Sequence, residues 1–181
     1  TDGVGVFFST RRLFERAISA QEVFVNQGEE AGLLLSGEQV TAIAVDGGNN
    51  KWFGTPNGVL YTTPSGDEVL NRFTADNSPL LSSSVRDIAI DGADGKVYCA
   101  TNSGLVSYRS RATDGGDEYD DVYAFPNPVK PGYNGTIAIK GLVANVSVRI
   151  TDATGNLVRA VQANGGQAVW NGRNRSGQRV N

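Results

Sequence analysis

Two stretches of this chain repeat one another. AIAVDGGNNKWFGTPNGVLYT runs from Ala42 to Thr62, and DIAIDGADGKVYCATNSGLVSY runs from Asp87 to Tyr108. Val40 pairs with Val85, Ile43 with Ile88, Val45 with Ile90, Asp46 with Asp91, Gly47 with Gly92 and Lys51 with Lys96. The offset is 45 from Val40 to Val85 and 46 from Gly58 to Gly104, so the second copy carries one extra residue. Ile43/Val45 and Ile88/Ile90 alternate with other residues at the period of a strand. GGNN and GADG between the runs tolerate positive φ, as tight hairpins require. Asp46 and Asp91 are placed to accept backbone N–H groups just ahead and pin each turn.

A period of this length with several short strands per copy is the pattern of a β-propeller blade. One such unit cannot bury both faces without neighbours. TDGVGVFF at Thr1–Phe8 matches TPNGVLY at Thr55–Tyr61, so a partial third copy is expected at the start. The chain is therefore expected to be the C-terminal part of a larger propeller. Between Ser9 and Gln39, Glu22–Asn26 and Leu33–Leu35 read as strands, and Arg11–Ile18 as one short helical turn.

Composition narrows the chemistry. The 181 residues contain no His and no Met, and Cys99 is the lone cysteine. That removes the commonest general base and metal ligand, any internal disulfide and any cysteine-built metal site. No apolar run is long enough for a membrane helix. Residues 122–181 hold seven basic residues against Asp152 alone, a net of +6; the preceding 121 residues hold nine basic and 18 acidic residues, a net of −9. The contrast points to two units with different partners.

ATDGGDEYDD at Ala112–Asp121 has five acids and no strand pattern, and reads as a solvated linker. In the following VYAFPNPVKPGYNG, Pro126, Pro128 and Pro131 remove backbone donors, which places this stretch at a sheet edge. Strand-like runs follow at Thr136–Leu142, Asn145–Asp152, Leu157–Ala163 and Gln167–Gly172. Short strands this close together imply an immunoglobulin-like sandwich. The expected organisation is all-β: propeller blades over 1–111, an acidic linker over 112–121 and the sandwich over 122–181.

IAVDGGNNKWFGT and DNSPLLSSSVRDIAID, the exit GLVSYRSRATDG, and FPNPVKPGYNGTIAIKGL…VRITDATGNLV…GGQAVWNGRNRSGQRV together resemble the C-terminal region of PorZ-like proteins. These are the propeller proteins of the Bacteroidetes type IX secretion system. The FPNP…GN…W.G part is similar to the sorting or FlgD-like sandwich that ends secreted Bacteroidetes proteins; such domains continue past an RSGQRV-like stretch into a Gly-Val-Tyr strand, so the resemblance implies a sandwich incomplete at its C-terminal end. The blade motif alone is equally similar to the sensor propellers of hybrid two-component receptors.

The resemblance implies a non-enzymatic binding and scaffold role in cell-surface attachment at the outer membrane, with secretion proteins, a sortase or anionic lipopolysaccharide as partners. It carries over no catalytic residue and no cofactor. An extracytoplasmic sensor is the alternative, and a carbohydrate-active propeller enzyme the third reading. The enzyme would need paired carboxylates facing one pocket.

Individual residues refine these expectations. Cys99 reads as a buried small hydrophobe, and Trp52, Phe53 and Trp170 as core. Asp91, Asp94 and Gly95 read as turn chemistry, not as a calcium loop. No metal site is expected, and no nucleic-acid motif appears. In VSVRI, Val146, Val148 and Ile150 share one face, which leaves Arg149 on the other. Arg149, with Arg173, Arg175 and Arg179 in the Gly/Ser-rich tail, is the candidate surface for an anionic ligand.

Overall fold

A computed structural model describes residues 5–6, 21–27, 30–119 and 121–180. The expected helical turn at Arg11–Ile18 and most of the first partial copy lie outside these residues. Among the described residues there are only strands, turns and loops, arranged in several small sheets, none of them closed. The chain forms two compact units. The first contains 1–45, 49–89 and 98–108; the second contains 46–48, 90–97 and 109–181.

In the first unit, β1 (Gly5–Val6) pairs with β2 (Gln21–Glu22), and β3 (Phe24–Gln27) with β4 (Glu30–Leu33). The strand expected to include Leu34 and Leu35 ends at Leu33. Both leucines are buried in a turn, and Leu35 takes a φ of 57°. They are apolar because the core needs them, not because they alternate in a strand.

The first full copy forms an antiparallel four-stranded sheet in chain order: β5 (Ala42–Val45), β6 (Lys51–Thr55), β7 (Gly58–Thr62) and β8 (Val69–Phe73). Registers Trp52↔Tyr61, Phe53↔Leu60 and Val59↔Phe73 sort its side chains onto two faces. Phe53 and Leu60 pack with Val23, Val25, Leu34 and Leu35. On the opposite face, Trp52 stacks on Tyr61 at a centroid distance of 4.0 Å and approaches Phe73 at 5.9 Å and Tyr108 at 6.0 Å. Both faces of β6 are covered, so its five residues are all buried. Burial of rings this large is worth about 1.5–3 kcal/mol each. Ile43 and Val45 on the edge strand β5 instead remain 59% and 50% exposed.

The second copy forms β9 (Val85–Asp91), β10 (Lys96–Thr101) and β11 (Gly104–Arg109), in the sheet order β11-β10-β9. It repeats the first down to its hydrogen bonds. Asp46 accepts the N–H of Gly48 at 3.0 Å, and Asp91 that of Ala93 at 3.1 Å. The Thr55 hydroxyl donates to the carbonyl of Gly58 at 3.0 Å, and Thr101 to that of Gly104 at 2.8 Å. Gly58 and Gly104 take φ of 127° and 135°, which a residue with a Cβ rarely adopts. The lysines match as well: Lys51 donates to Asn49, and Lys96 pairs with Asp94. The extra residue falls within the second strand, which has six residues in β10 against five in β6.

In the second unit, β12 (Tyr123–Phe125) is the edge of the sheet β12-β13-β16, with β13 at Ile137–Lys140 and β16 at Ala168–Trp170. The proline-flanked stretch thus lies where the missing donors put it. Strands β14 (Ser147–Thr151) and β15 (Leu157–Gln162) form a separate hairpin. Leu142, Ala163 and Ala168 form a small core with Ile139, Val146, Val148 and Val161 against it. In β14, Val148 and Ile150 are half-buried and Arg149 is exposed, the expected alternation. In β15, Leu157, Val158 and Val161 are half-buried and Arg159 and Ala160 exposed, a break in alternation that goes with the register shift between Ile150 and Thr151 opposite it.

The acidic stretch departs from a solvated linker at its start. Ala112 and Thr113 are buried. Asp114 donates its N–H to the Gly92 carbonyl, and the Thr113 carbonyl accepts the N–H of Gly166, both at 2.8 Å. Thr113 and Gly116 make parallel bridges to Gly165 and Val143. Strand propensity is low here, but glycines on the neighbouring segments let the backbones approach. The later acids Asp117, Glu118 and Asp121 are exposed.

Candidate functional site

The second unit carries a groove of about 470 Å³ on the outer face of the β12-β13-β16 sheet. Registers Tyr123↔Lys140, Phe125↔Ala138 and Ala138↔Val169 place these residues on one face. The alternate residues Ile137 and Ala168 are buried on the other. Tyr123 and Phe125 stand 53% and 68% exposed on the floor. Among the described residues, Arg109, Arg111 and Lys140 are the cations that line it, and Asp94 is its one acid.

That acid is already compensated. Asp94 pairs with Lys96 at 3.1 Å and Arg109 at 3.6 Å. The Lys96 hydrogen bond and charge, then Arg109, hold its carboxyl below the usual carboxylate range. Gln167 is buried and donates to the Arg111 backbone carbonyl at 3.3 Å, which leaves the Arg111 guanidinium uninvolved in that bond.

The four arginines singled out in the sequence take different positions. Arg173 and Arg179 oppose one another in an isolated antiparallel bridge. Arg173 donates to the Gly177 carbonyl at 2.8 Å, and Arg179 to the Asn171 carbonyl at 3.1 Å and to that of Tyr133. The Arg173 guanidinium therefore closes the tail on itself, and that of Arg179 ties the tail to Asn171 and to the loop that holds Tyr133. Arg175 is exposed in the turn between them, and Arg149 is exposed on β14. Trp170 is half-buried, and its indole N–H donates to the backbone carbonyl of Arg173 at 2.9 Å.

The groove residues escaped the sequence reading because they come from five separate segments. One signal was present: in VYAF the two aromatics sit at i and i+2, so they share a face of a strand that prolines place at an edge.

Other candidates resolve into structural roles. Cys99 is buried, and burial pushes its thiol up to about 11. Trp52 and Phe53 are sealed in the core, 1% and 2% exposed. Among the described residues, no cluster of acidic or cysteine side chains is placed to hold a metal ion.

Among the described residues, this face of the all-β fold combines an open strand edge, exposed rings and a surplus of basic side chains. No protein-family model and no curated protein matches it. Among solved structures it is similar to PorZ, an essential bacterial surface component of the type IX secretion system of Porphyromonas gingivalis. The two share 32% identity with a TM-score of 0.60, over 92% of this chain and 22% of PorZ. The chain thus spans less than a quarter of that protein. The extracellular domain of a hybrid two-component system from B. thetaiotaomicron aligns at 17% identity and a TM-score of 0.36, over 92% of this chain and 27% of that one.

Proposed function

We propose that this chain is a non-catalytic binding and scaffold segment of a type IX secretion protein, working outside the cytoplasm at the bacterial surface. The similarity to PorZ at 32% identity along 92% of the chain carries the reading. The repeated hairpins, with matching turn hydrogen bonds, support blades of a propeller; the two small sheets of residues 122–181 support a sandwich. The proposed organisation keeps blades over 1–111, the acidic stretch 112–121 as their connection, and the sandwich over 122–181.

Its partners are proposed to be other attachment proteins, a sortase among them, or anionic lipopolysaccharide. Arg149, Arg173 and Arg175 are the exposed members of the arginine surface for an anionic ligand, and among the described residues Arg149 and Arg175 have no hydrogen bond of the kind that holds Arg173 within the tail. Arg173 and Arg179 support it from the tail hairpin.

Titration with anionic lipopolysaccharide, its neutral form and a sortase partner, at low and high salt, tests the reading. Salt-sensitive binding of the anionic form, weakened by Arg149→Ser and Arg175→Ser, is the expected result for the glycan. Absence of binding to all three would contradict the binding role.

A further inference from the structure

We propose that the open edge of β12 takes up an extended acidic segment of a partner protein as a further strand, whose side chains on the groove face meet Tyr123, Phe125 and the groove's cations. Three independent features point to this occupant. Strand β12 pairs with β13 on one side and has no strand on the other among the described residues. Such an edge presents backbone donors and acceptors to an incoming chain. Tyr123 and Phe125 provide rigid rings on the concave floor, next to Ala138 and Val169. Exposed aromatics of this kind are the usual anchors of a docked chain.

Charge selects the partner. Arg109, Arg111 and Lys140 face the groove, and Asp94 is already held by Lys96 and Arg109. The surplus is positive, and guanidinium and ammonium groups complement carboxylates. Asp117, Glu118 and Asp121 of the chain itself do not line the groove. An anionic saccharide would use the rings and cations but would leave the edge of β12 unpaired. An acidic strand uses all three features. This inference stands without the secretion role, and its residues differ from the arginines of the tail and of β14.

The test is a titration of the whole chain with a short synthetic peptide that alternates Glu with Thr and Val. Three comparators are run: the same peptide with Gln for Glu, the Glu peptide N-methylated on alternate amides, and polygalacturonate. The Glu peptide should bind at least about tenfold more tightly than its Gln twin at low salt. N-methylation should abolish the binding, because it removes the donors that pair with a strand. Arg111→Ser and Lys140→Ser should each weaken it several-fold, with circular dichroism confirming that both variants fold.

Equal affinity for the Glu and Gln peptides, or indifference to N-methylation, would overturn the proposal. So would tight binding of polygalacturonate with the peptide silent, which would make the groove a saccharide site. Self-association that fades in the Lys140→Ser variant would also overturn it, and would make a second copy the occupant.

Discussion

Gly165 runs in parallel beside Thr113, so close that any side chain on it would overlap the Thr113 carbonyl. Its φ is also positive, at 64°. The exit from the second hairpin is thereby fastened to the segment ahead of β16. Gly165→Ala should therefore cost well over the about 1 kcal/mol of a left-handed alanine. Gly155, at φ 91° with open space around it, is the control, and Gly155→Ala should cost only about 1 kcal/mol. Denaturant unfolding of the two variants gives the comparison; equal costs would mean the close approach is not maintained.

The turn aspartates give a second prediction. Asp91→Ala leaves the Ala93 N–H without its acceptor and should destabilise by about 1 kcal/mol, as loss of a side-chain cap does. Asp46→Ala should act likewise through Gly48. An unchanged melting temperature in both would count against the pinned turns.

Trp52 tests the core of the first unit. It is 1% exposed and stacked on Tyr61. Trp52→Ala should cost about 3–5 kcal/mol in chemical denaturation. A loss under about 1 kcal/mol would show that the aromatic face is not packed as described.

Asp152 predicts a pH dependence. Hydrogen bonds from the Thr154 hydroxyl, then from Asn156, hold its carboxyl at about 2 against an ordinary 3.8. A depressed value means that the ionised form favours the folded chain, so its contribution is full above pH 3.8 and fades as pH falls towards 2. Asp152→Ala should lower the melting temperature at neutral pH, and the gap to the parent should close over that window. A gap independent of pH would contradict the assignment.

Cys99 should resist alkylation in the folded chain at pH 8, because burial keeps it a protonated thiol. Labelling should appear only with unfolding. Rapid labelling of the native chain, followed by mass spectrometry, would contradict its burial.

The repeat was legible because strand alternation, turn glycines and capping aspartates are all local signals, and Thr55/Gly58 and Thr101/Gly104 follow the same short-range rules. The edge position of β12 was legible from its prolines. Leu34 and Leu35 misled because burial in a turn and burial in a strand leave the same apolar letters. The docking of Thr113 and the groove depend on distant segments, for which one chain carries no local mark. Arg173 and Arg179 looked like free charge because nothing local reveals that their guanidinium groups reach backbone carbonyls.

The most direct measurement of the secretion role is an exchange in P. gingivalis. This chain would replace the matched 22% of PorZ, and surface attachment of type IX cargo would be assayed. The account predicts that a chimera that folds and reaches the surface restores attachment. A folded, surface-located chimera that leaves cargo unattached would contradict it.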